Sequence, residues 1–309
     1  MEVLIPILAA AVRSGTPILY ATLGEILTER SGVQNLGLEG LMLMGAFMGF
    51  SVTHATGNPW LGVVAAFVTG AAISLVHAFL SVSIGANQVV SGLAVAMFGT
   101  GASALLGRKM VGLTVTGFGK IPVPVLSGIP VIGPVFFDHD PLVYISYGLA
   151  FFLYWFIFHT RPGLNLRAVG ESPIVVDAMG LSAARLRYVY TLVGGGLAAV
   201  GGSYLSLAYT KMWSEGMSAG RGWIAVALVI FALWNPVRAI LGSYLFGGVG
   251  AMQLRIQAAG TSFPAPILLM MPYIFTILVL LVISVKMGKG ILLGSPGALG
   301  VPYSREERT

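Results

Sequence analysis

Long apolar runs follow one another along this chain with few polar residues between them. They fall at roughly 3–27, 36–53, 60–83, 87–107, 141–159, 188–209, 223–234, 237–256 and 265–286. A helix needs about 20 apolar residues to cross the hydrocarbon core of a bilayer, and most of these runs have that length. None shows the two-residue alternation of a barrel strand. Helices therefore satisfy the backbone polar groups inside lipid. The pattern predicts an all-α fold, a polytopic transmembrane helical bundle of about 8–10 spans with broken or re-entrant helices. The whole chain, 1–309, reads as one transmembrane domain.

Two runs are irregular. The first carries Gly15-Thr16-Pro17, where proline removes an N–H and crowds the preceding turn, so a kink or split is expected there. The seventh is short, and Trp234-Asn235-Pro236 after it reads as a break inside the membrane. Glu2 stands where a signal peptide would carry basic residues, and no cleavage site leads into soluble sequence. The first run is thus expected to belong to the mature chain.

Composition agrees with a lipid-facing surface, since only 9% of residues are charged against about 25% in soluble domains. The 42 glycines suit helices that approach closely. With no cysteine, disulfides, thiolate metal sites and cysteine nucleophiles are excluded. A net charge of +6 would suit nucleic acid, but the basic residues lie singly at the ends of apolar runs. That distribution is one of topology, not of a basic patch, so no nucleic-acid partner is expected.

The same residues set the orientation. Arg30, Arg161, Arg167, Arg185, Arg187, Arg238, Lys286, Lys289, Arg305 and Arg308 fall on one side, against Arg108, Lys109, Lys120, Lys211, Arg221 and Arg255 on the other, with Arg13 inside the first run. Ten against six favours a cytoplasmic C-terminus, and nine spans would then put the N-terminus outside.

Two segments between runs stand out. The first, 161–187, is the longest charged stretch. Ser172-Pro173 reads as a helix start and Gly180 as its stop. Ile174, Val175, Val176, Asp177, Ala178 and Met179 lie between them. A short apolar helix among charges calls for a partner groove, or for packing on its own bundle or in the lipid interface. Ser182 can cap a second helix that carries Arg185 and Arg187 into the next span. The other segment, Glu29 to Gly40, places polar groups and three glycines between apolar runs. It is either unwound backbone lining a solute path or a short interfacial loop. Glu39 enters an apolar run, where a carboxylate usually serves function or a partner.

Asn87 and Gln88, at the start of the fourth run, are placed to face a cavity or to cap that helix. His77 and Thr100 are more simply satisfied by a neighbouring helix. Trp213 and Trp223 read as interfacial anchors. There is no G-x-x-x-x-G-K-[ST], no His-Glu-x-x-His and no G-x-S-x-G, and the four histidines are far apart. Neither catalysis nor a metal site is expected.

These segments resemble the permeases of the ABC importer family for branched-chain amino acids, simple sugars and nucleosides. The resemblance rests on residues 29–40, Ala86-Asn-Gln-Val-Val-Ser-Gly92 and Ile121 to Phe137. Arg167-Ala-Val-Gly-Glu-Ser-Pro173 with Ala178-Met-Gly180, and Gly222-Trp-Ile-Ala-Val-Ala227, add to it. The first and third pieces look most like the shorter permease of the nucleoside-type branch.

The resemblance implies that 161–187 holds a coupling helix seated in a groove of a cytoplasmic ATPase. Gly170, Glu171, Ser172, Pro173, Ile174, Val175, Asp177, Ala178, Met179 and Gly180 would carry the contact. Asp177-Ala178 replaces the usual Ala-Ala pair. It further implies a second homologous permease as heterodimer partner, an external solute-binding protein or lipoprotein docking near 108–140, and a bacterial inner-membrane location. ATP and Mg would be bound by the ATPase, with no cofactor in this chain. Asn35, Glu39, Asn87 and Gln88 are expected near the solute path. Few charges suit a neutral solute, with nucleosides or related purines ahead of simple sugars. The rival classes are an ion-coupled secondary transporter, for which Glu25 and Glu39 are the acidic candidates, and a membrane enzyme.

Overall fold

A computed structural model describes residues 4–258, 264–288 and 294–304. Lys289, Arg305 and Arg308 of the charge count, with Glu2, lie outside them. Every apolar run coincides with a helix. These are α1 (Leu4–Arg30), α2 (Leu38–Thr56), α3 (Pro59–Ala78) with a π-helical end, α4 (Gln88–Gly107), α6 (Pro141–His159), α9 (Ala183–Tyr204) with a π-helical end, α10 (Arg221–Phe231), α11 (Pro236–Ala258) and α12 (Ala265–Gly288). Three short helices lie between them: α5 (Ile132–Phe136), α7 (Arg161–Glu171) and α8 (Pro173–Ala178). Among the described residues, α1, α3, α4, α6 and α9 are long and apolar enough to cross a membrane. The protein is an integral membrane protein.

Helix α1 is not split at its proline. It runs unbroken through Pro17, and Thr16 returns its hydroxyl to the Val12 carbonyl at 2.8 Å.

Helix α9 is the axis of the bundle, because its small residues let three helices come to backbone contact. A side chain at Gly194 would strike Thr28 and Gly24 of α1; one at Gly195 would strike Ser74 and Gly70 of α3; one at Gly202 would strike Met42 of α2. In lipid, where burial of apolar surface gives no net drive between helices, this close packing holds them together. Elsewhere the surface is apolar and open, as at Val64 and Val68 of α3, Met97 and Phe98 of α4, Phe151 and Trp155 of α6, and Leu241 and Leu245 of α11.

Trp213 corrects the anchor reading. It is only 2% exposed and lies flat against Gly107, where any side chain would meet the indole. It packs with Phe47 and Phe50 inside the bundle, while Trp223 is partly exposed at the start of α10. His77 is satisfied as expected: its Nε2–H donates to the Gln34 carbonyl at 3.1 Å, so Nδ1 accepts from Ser91 at 3.0 Å. Thr100 instead bonds within its own helix, to Ala96.

Gly45→Leu should break the α2–α9 seam, because its side chain would enter the Ala199 backbone. Overpacking of this kind costs about 1–3 kcal/mol, and the purified protein should melt several degrees lower. Gly101→Ala, which meets open space, should melt as the parent does. Equal melting of Gly45→Leu and the parent would rule out the seam.

Candidate functional site: two helix breaks and a short outward-facing helix

Between α1 and α2 the chain leaves the helix for residues 31–37 while staying buried. Glycine is required at position 32, where φ is +85° and a Cβ would also strike the Arg187 guanidinium. Unwound backbone inside a bundle needs side-chain partners, and it has them. The Gln34 N–H donates to Gln88 Oε1 at 2.8 Å, the Asn35 N–H to Glu25 Oε1 at 2.8 Å, and the Gly37 N–H to Asn35 Oδ1 at 2.8 Å. Asn35 and Gln88 are therefore buried holders of this segment. Asn87 is exposed and caps α4 by accepting from the Val90 N–H.

The second break precedes α10. This helix has 11 residues, so it spans about 16 Å, roughly half the hydrocarbon thickness. Its start meets the start of α2 at Glu39. One carboxylate oxygen accepts from Ser218 Oγ at 2.6 Å and the Gly220 N–H at 2.9 Å. The other accepts from the Gly222 N–H at 2.8 Å. A carboxylate at two helix N-termini satisfies both the free N–H groups and the helix dipoles. Gly40 packs on Val95 and Ala96, which places this joint near the middle of α4.

Beside the joint is a cavity of about 420 Å³, bordered by Ser14, Arg221, Gln253, Phe246 and Tyr273 among others. Arg221 donates to the Ser218 carbonyl at 3.0 Å, and Arg13 and Arg221 both approach the Tyr209 ring, at 5.8 and 5.9 Å. The sequence singled out none of Arg221, Gln253 or Tyr273 as path residues, because Arg221 reads as the flank of a span and the other two as isolated polar positions within spans. Only the shortness of the seventh run signalled a half-helix.

At the arginine-rich end, Thr160 caps α7 by accepting from the Gly163 N–H, and α8 follows. Val176 is buried with Val169 and Ala183, whereas Ile174 is 66%, Val175 54% and Met179 76% exposed. Ala178 lies on the exposed side too. Gly180 ends the turn at φ +83°, as its position suggested. Ser172 makes no capping bond, so Pro173 supplies the start. Asp177 accepts from the Ala183 N–H and from the Tyr303 hydroxyl, at 3.0 and 2.7 Å. Glu171 accepts from the Gly297 N–H at 2.6 Å, and the Gly170 carbonyl from Ala298 at 2.8 Å. The segment 294–304 thus straps α7 and α8 to the bundle, a role its turn-rich sequence did not announce. Ser182 caps α9 by accepting from the Arg185 N–H, and this helix carries Arg187 to a buried position where it donates to the Val301 carbonyl.

The opposite end carries the segment 108–140. Ile121 and Pro122 pair antiparallel with His139 and Asp138, and Lys120 holds Asp138 at 2.6 Å. Val125 and Val131 each take φ near +68° between a proline carbonyl and the N–H two residues on. A β-branched residue in this region is strained, which is tolerated where the surroundings over-determine it. His139 donates Nε2–H to the Val135 carbonyl, and burial holds its pKa below the usual imidazole value. Val125 and Ile132 project outward, 88% and 52% exposed.

A family model described as the permease component of branched-chain amino acid transport systems matches residues 7–285. The chain belongs to this family. The permease is similar over its full length to proteins of three organisms. A Haloferax volcanii protein provisionally named a glucose ABC transporter permease, TsgC13, is 40% identical over 97% of the chain and 98% of its own. The guanosine ABC transporter permease NupQ of Bacillus subtilis is 33% identical over 100% and 99%. The nucleoside ABC transporter permease NupC of Lactococcus lactis is 34% identical over 94% of each. The permease is a non-catalytic membrane subunit, and its family implies ATPase subunits as partners.

Glu39→Ala should leave two N–H groups and a hydroxyl without this partner, at up to about 1–3 kcal/mol for each that water does not reach. A marked fall in thermal stability and in uptake is expected. Glu39→Gln, with one amide oxygen left to accept, should fall between. Unchanged melting of Glu39→Ala would show that the joint is not held by this carboxylate.

Proposed function

We propose that this permease forms the path of an ATP-driven importer for nucleosides or related purines. The chain is an ABC permease subunit for a sugar or a nucleoside; the choice of nucleoside rests on the cavity beside the Glu39 joint. At about 420 Å³ it falls in the ordinary range of small-molecule sites. Tyr273, about half exposed, offers a ring face for stacking a base against a wall that includes Phe246, and the Gln253 amide offers a donor and an acceptor for a base edge. In this reading Glu39 borders the path, Asn35 and Gln88 hold the unwound backbone beside it, and Asn87 lies at the exposed end of α4. A simple sugar is the second reading, favoured by the 40% identity to TsgC13.

The exposed apolar face of α8 supports its reading as the coupling helix. Ile174, Val175, Ala178 and Met179 would seat in an ATPase groove, while Gly170, Glu171, Ser172, Pro173, Asp177 and Gly180 shape and fasten the turn. The arginine-rich end is then cytoplasmic, and the strained 108–140 segment faces an external binding protein or lipoprotein. A second, homologous permease completes the path as a heterodimer in a bacterial cytoplasmic membrane. ATP and Mg act on the ATPase, which biases the bundle between outward and inward access.

Proteoliposomes holding the permease and its partners should take up labelled guanosine only with ATP and binding protein present. Excess unlabelled nucleoside should compete and glucose should not. Uptake driven by an ion gradient without ATPase would overturn the importer, and ATP-dependent uptake of labelled glucose but not of labelled guanosine would move the solute to sugars.

A separate variant tests the coupling helix. Ala178→Arg should lose ATPase copurification and transport while the chain still inserts, since a charge would be buried at a close contact. Ala178→Ser should keep both. Retention of both by Ala178→Arg would end the coupling assignment.

A further inference from the structure

At the arginine-rich end a cavity of about 560 Å³ opens between α7, the end of α1 and the start of α11. Three guanidinium groups border it, from Arg30, Arg167 and Arg238, with the single carboxylate of Glu171. That carboxylate already accepts from the Gly297 N–H. Among the described residues the one ion pair within 4.0 Å is Lys120–Asp138, so none of the three arginines is paired. Two of them, Arg30 and Arg167, lie over the same Phe158 ring at 5.7 and 5.5 Å. The ring face offsets part of a cation's charge but cannot supply hydrogen bonds. Arg30 spends two donors on the Trp234 carbonyl. The Arg167 Nε–H is buried and has no acceptor. Neighbouring like charges with a stranded donor are costly unless an anion joins them.

We propose that Arg30, Arg167 and Arg238 bind a phosphate group, and that its source is the headgroup of an anionic phospholipid. Guanidinium forks match phosphate oxygens in geometry and charge. The lipid source follows from what lies beyond the cavity. Arg238, Leu241 and Leu245 share one face of α11 by helical spacing, and both leucines are open, at 68% and 52%. Phe151, Trp155 and Phe158 likewise share a face of α6, with Phe151 and Trp155 more than half exposed. Two apolar faces lead from the hydrocarbon to the cavity mouth, so acyl chains can lie on them while the headgroup sits among the arginines. Basic clusters at the membrane surface attract anionic lipid in just this charge sense.

The site lies apart from the Glu39 joint, and its test does not depend on the solute. The delipidated full chain in detergent is titrated with phosphatidylglycerol, with phosphatidylcholine and with inorganic phosphate, and bound ligand is read by native mass spectrometry and by melting. Phosphatidylglycerol should bind at one per chain and raise the melting temperature, with phosphatidylcholine and inorganic phosphate much weaker. Arg238→Gln, at an exposed position that folding tolerates, and Arg167→Gln should each weaken phosphatidylglycerol about tenfold or more. Arg185→Gln, a cation on the same side outside the cavity, should not. Equal stabilisation by inorganic phosphate would overturn the lipid source. Phosphatidylglycerol binding that Arg167→Gln and Arg238→Gln leave unchanged would overturn the site.

Discussion

Everything in this bundle depends on keeping residues 31–37 unwound while most of them are buried. Each unpaired backbone group there would cost several kcal/mol. The chain meets this by bringing side chains to the break from three helices. Glu25 comes from α1, Gln88 from α4 and His77 from α3, and each bonds a backbone atom of Gln34 or Asn35. Of these, α1 and α3 are fixed by the glycine-lined seams of α9, and α4 by the close contact of Gly99 with Gly40 of α2. The close packing is thus what allows the break, and the break is what lets α2 begin in the middle of the bundle, opposite α10.

The same economy links the middle of the bundle to its arginine-rich end. The strap of residues 294–304 donates one N–H, from Ala298, to the Gly170 carbonyl of α7. Two residues later it donates another, from Gly300, to the Gly32 carbonyl of the unwound segment. Arg187 closes the circuit by donating to the Val301 carbonyl while lying against Gly32. A displacement of α7 and α8 therefore cannot leave residues 31–37 undisturbed. Through Asp177 and Tyr303 the strap joins α8 to the same run of hydrogen bonds that reaches residues 31–37.

Periodicity and charge made the helices, their order and the outward-facing α8 legible in the sequence, because each is a local property. The glycine-rich stretch from Glu29 to Gly40 read as either unwound backbone or a short interfacial loop, and the first is what the fold contains. What could not be read was which groups meet across the bundle. Glu39 was visible as a carboxylate in an apolar run, but its partners Ser218, Gly220 and Gly222 lie about 180 residues away. Trp213 looked like an interfacial anchor because it sits at the end of an apolar run, and only the missing side chain at Gly107 takes it inside. The turn at Trp234 was expected as a break. Its fastening, an indole N–H donated to Glu29 at 2.6 Å, needed the fold.

These contacts also bear on the ion-coupled alternative. A proton or cation relay needs buried carboxylates free to change partners, and α1 buries two, Glu25 and Glu29, with Glu39 half-buried at the start of α2. Each, however, is committed to a place where a helix is interrupted. Glu25 holds the unwound segment, Glu29 the turn between α10 and α11, and Glu39 the start of α10. Each of these side chains fastens a joint of the backbone. Their spacing follows the breaks and not a continuous route across the bundle. The acidic residues that made a self-sufficient transporter conceivable from the sequence are, in the folded chain, the clamps that let a helical bundle contain broken helices. A bundle built on such joints has its hinges fastened by side chains, and it is suited to being driven from outside itself.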